Sequence, residues 1–198
     1  MKRMMMAAPF AALVIVAWGC VQQTGTIKSQ PGKSPETARV QSEFTTRIDT
    51  LIPDMASETV ATRQEAQQAF DDMCFNASRP GADDERFALC RAIVTRLGTD
   101  SPLEARVWML RKLAEIGGEE SVATLVDLLH DDDPRIRELS RRALLKNPSD
   151  LAPVALFTAL DNTDDPATKV AMINALGARR DRASVRSSSN SPVVTMRR

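Results

Sequence analysis

The sequence predicts an all-α protein, a short right-handed α-solenoid of antiparallel helix pairs. Three observations lead there. Pro102, Pro134 and Pro166 recur with a constant period of 32, each just after a helix-capping residue, in Asp100-Ser101-Pro102, Asp132-Asp133-Pro134 and Asp164-Asp165-Pro166. Between them apolar residues recur at helical spacing, and such a period marks units that bury their apolar faces only against their neighbours. Hydrophobic residues make up 43% of the chain but aromatics only 4%, with no Tyr, which suits aliphatic helix packing better than a β-sandwich.

Taken in order, the chain opens with a leader, Met1–Cys20. Lys2-Arg3 is a short positive region, and Met4–Trp18 is an unbroken apolar run, short for a membrane-spanning helix. Gly19 and Cys20 follow. This end, Ala17-Trp18-Gly19-Cys20, resembles a bacterial lipoprotein signal, in which cleavage falls before a Cys that is then diacylated; Ala17 and Trp18 depart from the usual residues. The resemblance implies lipidation of Cys20 and a membrane tether through its acyl chains. Ordinary cleavage after Gly19 is the alternative, and both readings export the protein. Residues 21–35, rich in Gln, Thr, Gly, Ser, Lys and Pro, read as a flexible linker.

Residues 36–100 read as helical, with degenerate repeats. Val40, Phe44, Ile48, Leu51 and Ile52 share one helix face, which Pro53 is expected to end. Thr62-x-x-Glu65 suggests a capping box before the stripe Ala66, Ala69, Phe70, Met73, Cys74 and Ala77. Arg79-Pro80-Gly81 is a turn. Asp83 or Asp84 is expected to cap a third helix, with Phe87, Cys90, Ile93, Val94 and Leu97 inward and Gly98 as its stop.

The repeats proper span 101–180. Ser101-x-x-Glu104 reads as a capping box with Pro102 at the first helical position. Leu103, Val107, Leu110, Leu113 and Ala114 point inward until Gly117-Gly118. Ser121–His130 forms the second helix, with Val122, Leu125, Val126 and Leu129 on one face. Asp133 caps Pro134, and Ile136, Leu139, Ala143 and Leu144 continue inward until Asn147-Pro148. Leu151–Asp161 repeats the second helix, placing Val154, Phe157 and Leu160 inward, one proline period after Val122, Leu125 and Leu128. Pro166 opens a further helix, with Val170, Ile173 and Leu176 inward.

This repeating unit, with acidic residues in its turn and a basic residue early in the next helix, resembles the short HEAT-like repeats of the phycobilisome-lyase type. Asp132 with Arg137, and Asp164 with Lys169, fit that pattern, and the resemblance implies that these pairs stitch neighbouring repeats. The chain lacks the Trp…Leu-Gly…Tyr pattern of tetratricopeptide repeats and the Thr-Pro-Leu-His of ankyrin repeats. The tail, 181–198, starts like another second helix at Ala183-Ser184-Val185 and then runs into Ser and Arg, which reads as disordered or as a truncated continuation of a longer array.

Charge and chemistry narrow the function. Lys2 and Arg3 give +2, the stretch 178–198 carries six Arg against one Asp, and the formal total is zero, so residues 21–177 carry −7. An acidic body of that kind has no electrostatic footprint for nucleic acid. His130-Asp131-Asp132-Asp133 is the one metal-like cluster, and helix capping accounts for it with a single His in the chain, so neither a metal nor another cofactor is expected. Cys74 and Cys90 flank the Arg79-Pro80-Gly81 turn; in an exported chain they form a disulfide or stay as small buried hydrophobes. No His stands near either as a base to make a nucleophile. Trp108 and Met109 lie beside the inward stripe, as core or as a partner-facing pair. The expectation is a non-enzymatic interaction or scaffolding module in the cell envelope, with an unidentified protein partner and a membrane contact through Cys20. The alternatives are a lyase-like or chaperone-like protein handling a prosthetic group, as the resemblance implies, and a fragment of a larger repeat protein.

Overall fold

A computed structural model describes residues 34–189, and the leader, most of the linker and the last stretch, 190–198, lie outside them. Among the described residues there are eight α-helices: α1 (Pro35–Met55), α2 (Val60–Ala77), α3 (Asp83–Val94), α4 (Leu103–Ile116), α5 (Glu119–Asp127), α6 (Pro134–Lys146), α7 (Leu151–Asp161) and α8 (Pro166–Ser189). A single 3-10 turn, Leu128–His130, tightens the end of α5. The helices pack in two layers. One runs α2, α4, α6, α8 and the other α1, α3, α5, α7, with each helix beside its layer neighbour. One continuous core joins them, from Ile48 and Phe70 to Met172 and Ala175. This is a short HEAT-like α-solenoid.

Local chemistry accounts for most boundaries. Ser34 caps α1, its Oγ accepting the Thr37 N–H at 3.1 Å, with Pro35 at the first helical position, where its missing N–H costs nothing. Gly81 at φ 86° makes the left-handed turn between α2 and α3. Gly117 closes α4 because space forbids more: a Cβ there would meet the Leu113 carbonyl oxygen at 2.4 Å. Asp133 caps α6 by accepting the Arg135 N–H at 2.8 Å, and Asp165 accepts the Thr168 N–H at 2.8 Å before α8.

Other boundaries differ from the sequence reading. α1 runs on past Pro53 to Met55, since a proline in the last turn removes only one helical hydrogen bond. No capping box forms at Thr62–Glu65, because α2 has already begun at Val60. Ala82 precedes α3, and Asp83 and Asp84 sit inside its first turn, where they favour the helix dipole without capping. α3 stops at Val94, ahead of Gly98. Ser101 is no cap: its Oγ donates back to the Arg96 carbonyl at 2.7 Å, and Pro102 stands in the cap position with extended ψ, one place earlier than Pro134 stands in α6.

That one-place offset changes the register of the core. In α4 the buried positions include Ala105, Met109, Leu113 and Ile116, and their counterparts in the next repeat are buried Ile136, Ser140, Leu144 and Asn147, a step of 31 and not 32. The other layer shows the same slip. Leu89, Cys90, Ile93 and Leu97 recur at the full period of 32 as buried Ser121, Val122, Leu125 and Leu129, but Ser121, Leu125 and Leu128 recur at 31 as Ala152, Leu156 and Ala159. The expected inward residues Val154 and Phe157 are therefore exposed, at 61% and 56%. Val170 and Ile173 are exposed as well, and Met172 and Ala175 take the core side of α8. α8 also continues through 181–189 as one helix. The positions that end α6, Asn147-Pro148, are Arg179-Arg180 in α8, and two good helix formers supply no stop.

Candidate interaction surface

The turns between repeats hold the tightest polar contacts. Arg106, beside Ala105 and Val107 on the buried side of α4, donates through Nε to the Leu97 carbonyl at 2.9 Å and pairs with Asp131. Their side chains are only 7% and 8% exposed. Asp131 also accepts the Asp133 N–H at 3.0 Å. Burial alone would raise the Asp131 pKa, but the hydrogen bond and charge of Arg106 together with the Asp133 N–H outweigh it and hold the carboxyl below its ordinary value.

The expected stitching pairs are not formed. Arg137 donates to the backbone carbonyls of Asp131 and Asp132, at 2.7 and 2.9 Å, and not to the Asp132 carboxylate. No ion pair joins Asp164 to Lys169 among the described residues. The reason lies in the register. Arg106, Arg137 and Lys169 occupy the same place in successive helices, and the partner of Arg106 comes from the following turn. The next turn has Thr163 where that turn has Asp131, so Arg137 folds back on its own turn. The proline period projects Arg137 onto Ala105, which is why Arg106 escaped a reading from sequence. An arginine between two residues of an apolar stripe was the signal available.

Side chains also seal helix ends across repeats. Asn147 Nδ2 donates to the Gly118 carbonyl at 2.8 Å and to Ser121 Oγ at 3.1 Å. Arg179, one repeat later, donates to the carbonyls of Leu144, Leu145, Asn147 and Ser149 at the end of α6. A cation there satisfies orphan carbonyls and complements the helix dipole.

Around Trp108 a polar cluster borders an open groove of about 430 Å3 between α2 and α4. Trp108 is half-buried against the core; its Nε1 donates to Asp71 at 3.0 Å, and Arg111 and Lys112 stand 5.4 and 5.8 Å from its ring centre. Lys112 reaches Asp71 at 3.2 Å and Glu115 at 3.3 Å. Burial pulls the Lys112 pKa down, but these carboxylates outweigh it and leave the ammonium above its usual range. Phe75, 74% exposed, stands on the rim. Met109 is fully buried. Phe75 and Lys112 line the same groove, and Lys112 also stands over Trp108, so an exposed aromatic, a paired cation and a half-buried tryptophan are linked through Lys112.

The remaining candidates carry structure. Asp131 and Asp133 are committed to Arg106 and to capping, His130 is exposed, and no group of three or more His, Cys, Asp and Glu among the described residues could hold a metal. Cys74 and Cys90 are buried free thiols. Burial pushes Cys74 up to about 12 and raises Cys90 too, where Glu120 and Cys74 add to the effect, and Cys90 Sγ donates to the Ile116 carbonyl at 3.5 Å. Thiols held protonated are poor nucleophiles. Cys20 lies outside the described residues, and no helix among those described is long and apolar enough to cross a membrane.

Stacked antiparallel helix pairs, sealed to one another at their ends, define a repeat protein of the α-solenoid class. Residues 91–177, from the middle of α3 to the middle of α8, match the family model of HEAT repeats. That stretch is similar to HEAT repeats, an architecture that suggests a protein-interaction or scaffold module. No curated protein matches the chain.

Proposed function

We propose that the protein is a non-enzymatic interaction module exported to the cell envelope and held there by acyl chains on Cys20, with the Phe75–Trp108 patch as its partner contact. The observation that carries the interaction reading is the HEAT-repeat match over a stacked helical array. Support for export comes from the leader, with Lys2-Arg3, the apolar run Met4–Trp18 and Gly19-Cys20. Two acyl chains on one residue suffice for stable anchoring. The test is expression of the full chain in a bacterial host, with intact-mass analysis of its N-terminus. Diacylated Cys20 in the membrane fraction, lost in Cys20→Ser, is the expected result; a cytosolic chain that keeps Met1 overturns the export reading. A photo-crosslinking residue at Phe75 should give one dominant protein adduct, and its absence removes the patch from the proposal.

A further inference from the structure

The groove between α2 and α4 carries a charge that its own lysine does not cancel. Asp71, Asp72 and Glu115 line it, and Lys112 is the one cation in its lining among the described residues, which leaves a net charge of −2. Lys112 is shared between Asp71 at 3.2 Å and Glu115 at 3.3 Å, and Asp71 also accepts the Trp108 Nε1–H. Asp72 accepts from a neutral donor, Gln68 Nε2 at 2.8 Å, and no cation pairs with it among the described residues. Glu115 is far more open to solvent than the lysine it touches, 57% against 16%. Each wall therefore offers one accessible carboxylate, Asp72 on α2 and Glu115 on α4. Between them buried Cys74 and Ile116 make an apolar floor, with Phe75 exposed on the rim.

The sign of that charge selects the occupant. A phosphate or an acidic peptide would need Lys112, whose ammonium two carboxylates already hold. A cation meets carboxylate oxygens with lone pairs to spare. The helix agrees with the groove, since Arg63 alone stands against Glu65, Asp71 and Asp72 in α2. Arg111, the second cation at Trp108, is outside the lining. Asp72 and Phe75 lie three apart on α2 and are neighbours on its surface, so a cation at one is beside an apolar contact at the other. An open ring face also receives a guanidinium. The Trp108–Asp71–Lys112–Glu115 network ties α2 to α4, so the walls are already in place and little has to be ordered on binding.

We propose that this groove binds a basic segment of another protein, with arginine or lysine on either side of an apolar residue. The inference rests on the Phe75–Trp108 patch being the partner contact, and it names the partner's chemistry. Fluorescence anisotropy tests it, with a labelled peptide of alternating arginine and leucine titrated with the full chain in mild detergent, against the same peptide carrying glutamate for arginine. The arginine peptide should bind about tenfold tighter or more, and less tightly as salt is added. Asp72→Asn combined with Glu115→Gln should weaken it about tenfold, and Phe75→Ser about as much. Glu119→Gln combined with Asp150→Asn makes the same change of charge at a different groove and should leave binding unchanged, which separates a local site from general attraction to an acidic body. All five positions are exposed, and circular dichroism checks that helix content holds. Equal binding of the two peptides, no binding, or equal weakening by the two double variants overturns the proposal. So does self-association of the chain that Phe75→Ser abolishes, which would put a second copy in the groove. The crosslinker at Phe75 keeps the two readings apart: an adduct through an acidic or neutral segment overturns the basic partner alone, and no adduct removes both.

Discussion

The seam between α4 and α6 and the end at α7 and α8 are built from the same repeat positions and finished in opposite ways. In α4 the row of Val107 and Leu110 is buried, and Arg106 on the adjoining position is locked to Asp131 of the following turn. In α8 the same row, Val170 and Ile173, faces out, and among the described residues Lys169 meets no such carboxylate. A repeat position thus has no fixed environment of its own; the next unit creates it. The first end of the array shows how closure is otherwise achieved, since α1 lies along α3 and covers the layer edge that would have been open, with Ile48 and Met55 fully buried.

The largest effect should come from the ion pair. Arg106→Ala leaves the Asp131 carboxylate buried and unpaired, and is expected to cost about 3–5 kcal/mol in denaturant unfolding. The pH dependence follows. The Asp131 carboxyl is held below its ordinary value in the folded chain, so its contribution is whole above the unfolded carboxylate pKa of about 4 and fades as pH falls through the lower folded value. That part of the acid sensitivity should disappear in Arg106→Ala; if the melting curves of the two proteins stay parallel down to acid pH, the pair is not what couples these turns.

A second comparison uses one row twice. Leu110→Ala should cost about 2–5 kcal/mol, as for a fully buried leucine. Ile173→Ala, in the same place two helices later in that layer, should change the unfolding midpoint little in a monomer. Equal effects would mean that the end is covered.

Ser140 is the buried residue between Met109 and Met172 in successive helices, and its Oγ has no hydrogen-bond partner. Ser140→Ala removes that cost and improves helix propensity, so the thermal midpoint should rise, by about 1 kcal/mol of stability. A fall would place an unseen partner on the hydroxyl.

The smallest effect is a repair. Thr163→Asp offers Arg137 the cross-repeat carboxylate that Arg106 already has, and should stabilise by about 0.5 kcal/mol at low salt, less at high salt. A double-mutant cycle with Arg137→Met reads the coupling, and a zero value would refute the positional equivalence of Arg106 and Arg137.

The helical class, the pairing of helices and the caps at Asp133 and Asp165 were legible in the sequence, because capping chemistry and helical periodicity are local. The ends of α4 and α6 were legible for the same reason, in Gly117-Gly118 and Asn147-Pro148. What escaped was register between units. A proline tolerates both the cap position and the first helical position, so Pro102 and Pro134 mark nearly the same boundary while their helices differ by one place, a rotation of about 100°. That slip hid Arg106, and a second one-place slip between α5 and α7 moved Val154 and Phe157 out of the core. Exposure at the last pair was hidden for another reason: Val170 and Ile173 read as core because their spacing is helical, and spacing says nothing about whether a neighbour follows.

The Asn147 and Arg179 seals give the array a direction in time. During synthesis from the N-terminus each first helix of a pair emerges before a later residue that holds it or the turn after it, so the α4–α5 turn waits for Asn147 and the end of α6 for Arg179. Loss runs the other way. When α8 peels off, one guanidinium leaves the carbonyls of Leu144, Leu145, Asn147 and Ser149 just inside it. The chain should then unravel from its last helix towards its first, like a row of latches released from the far end.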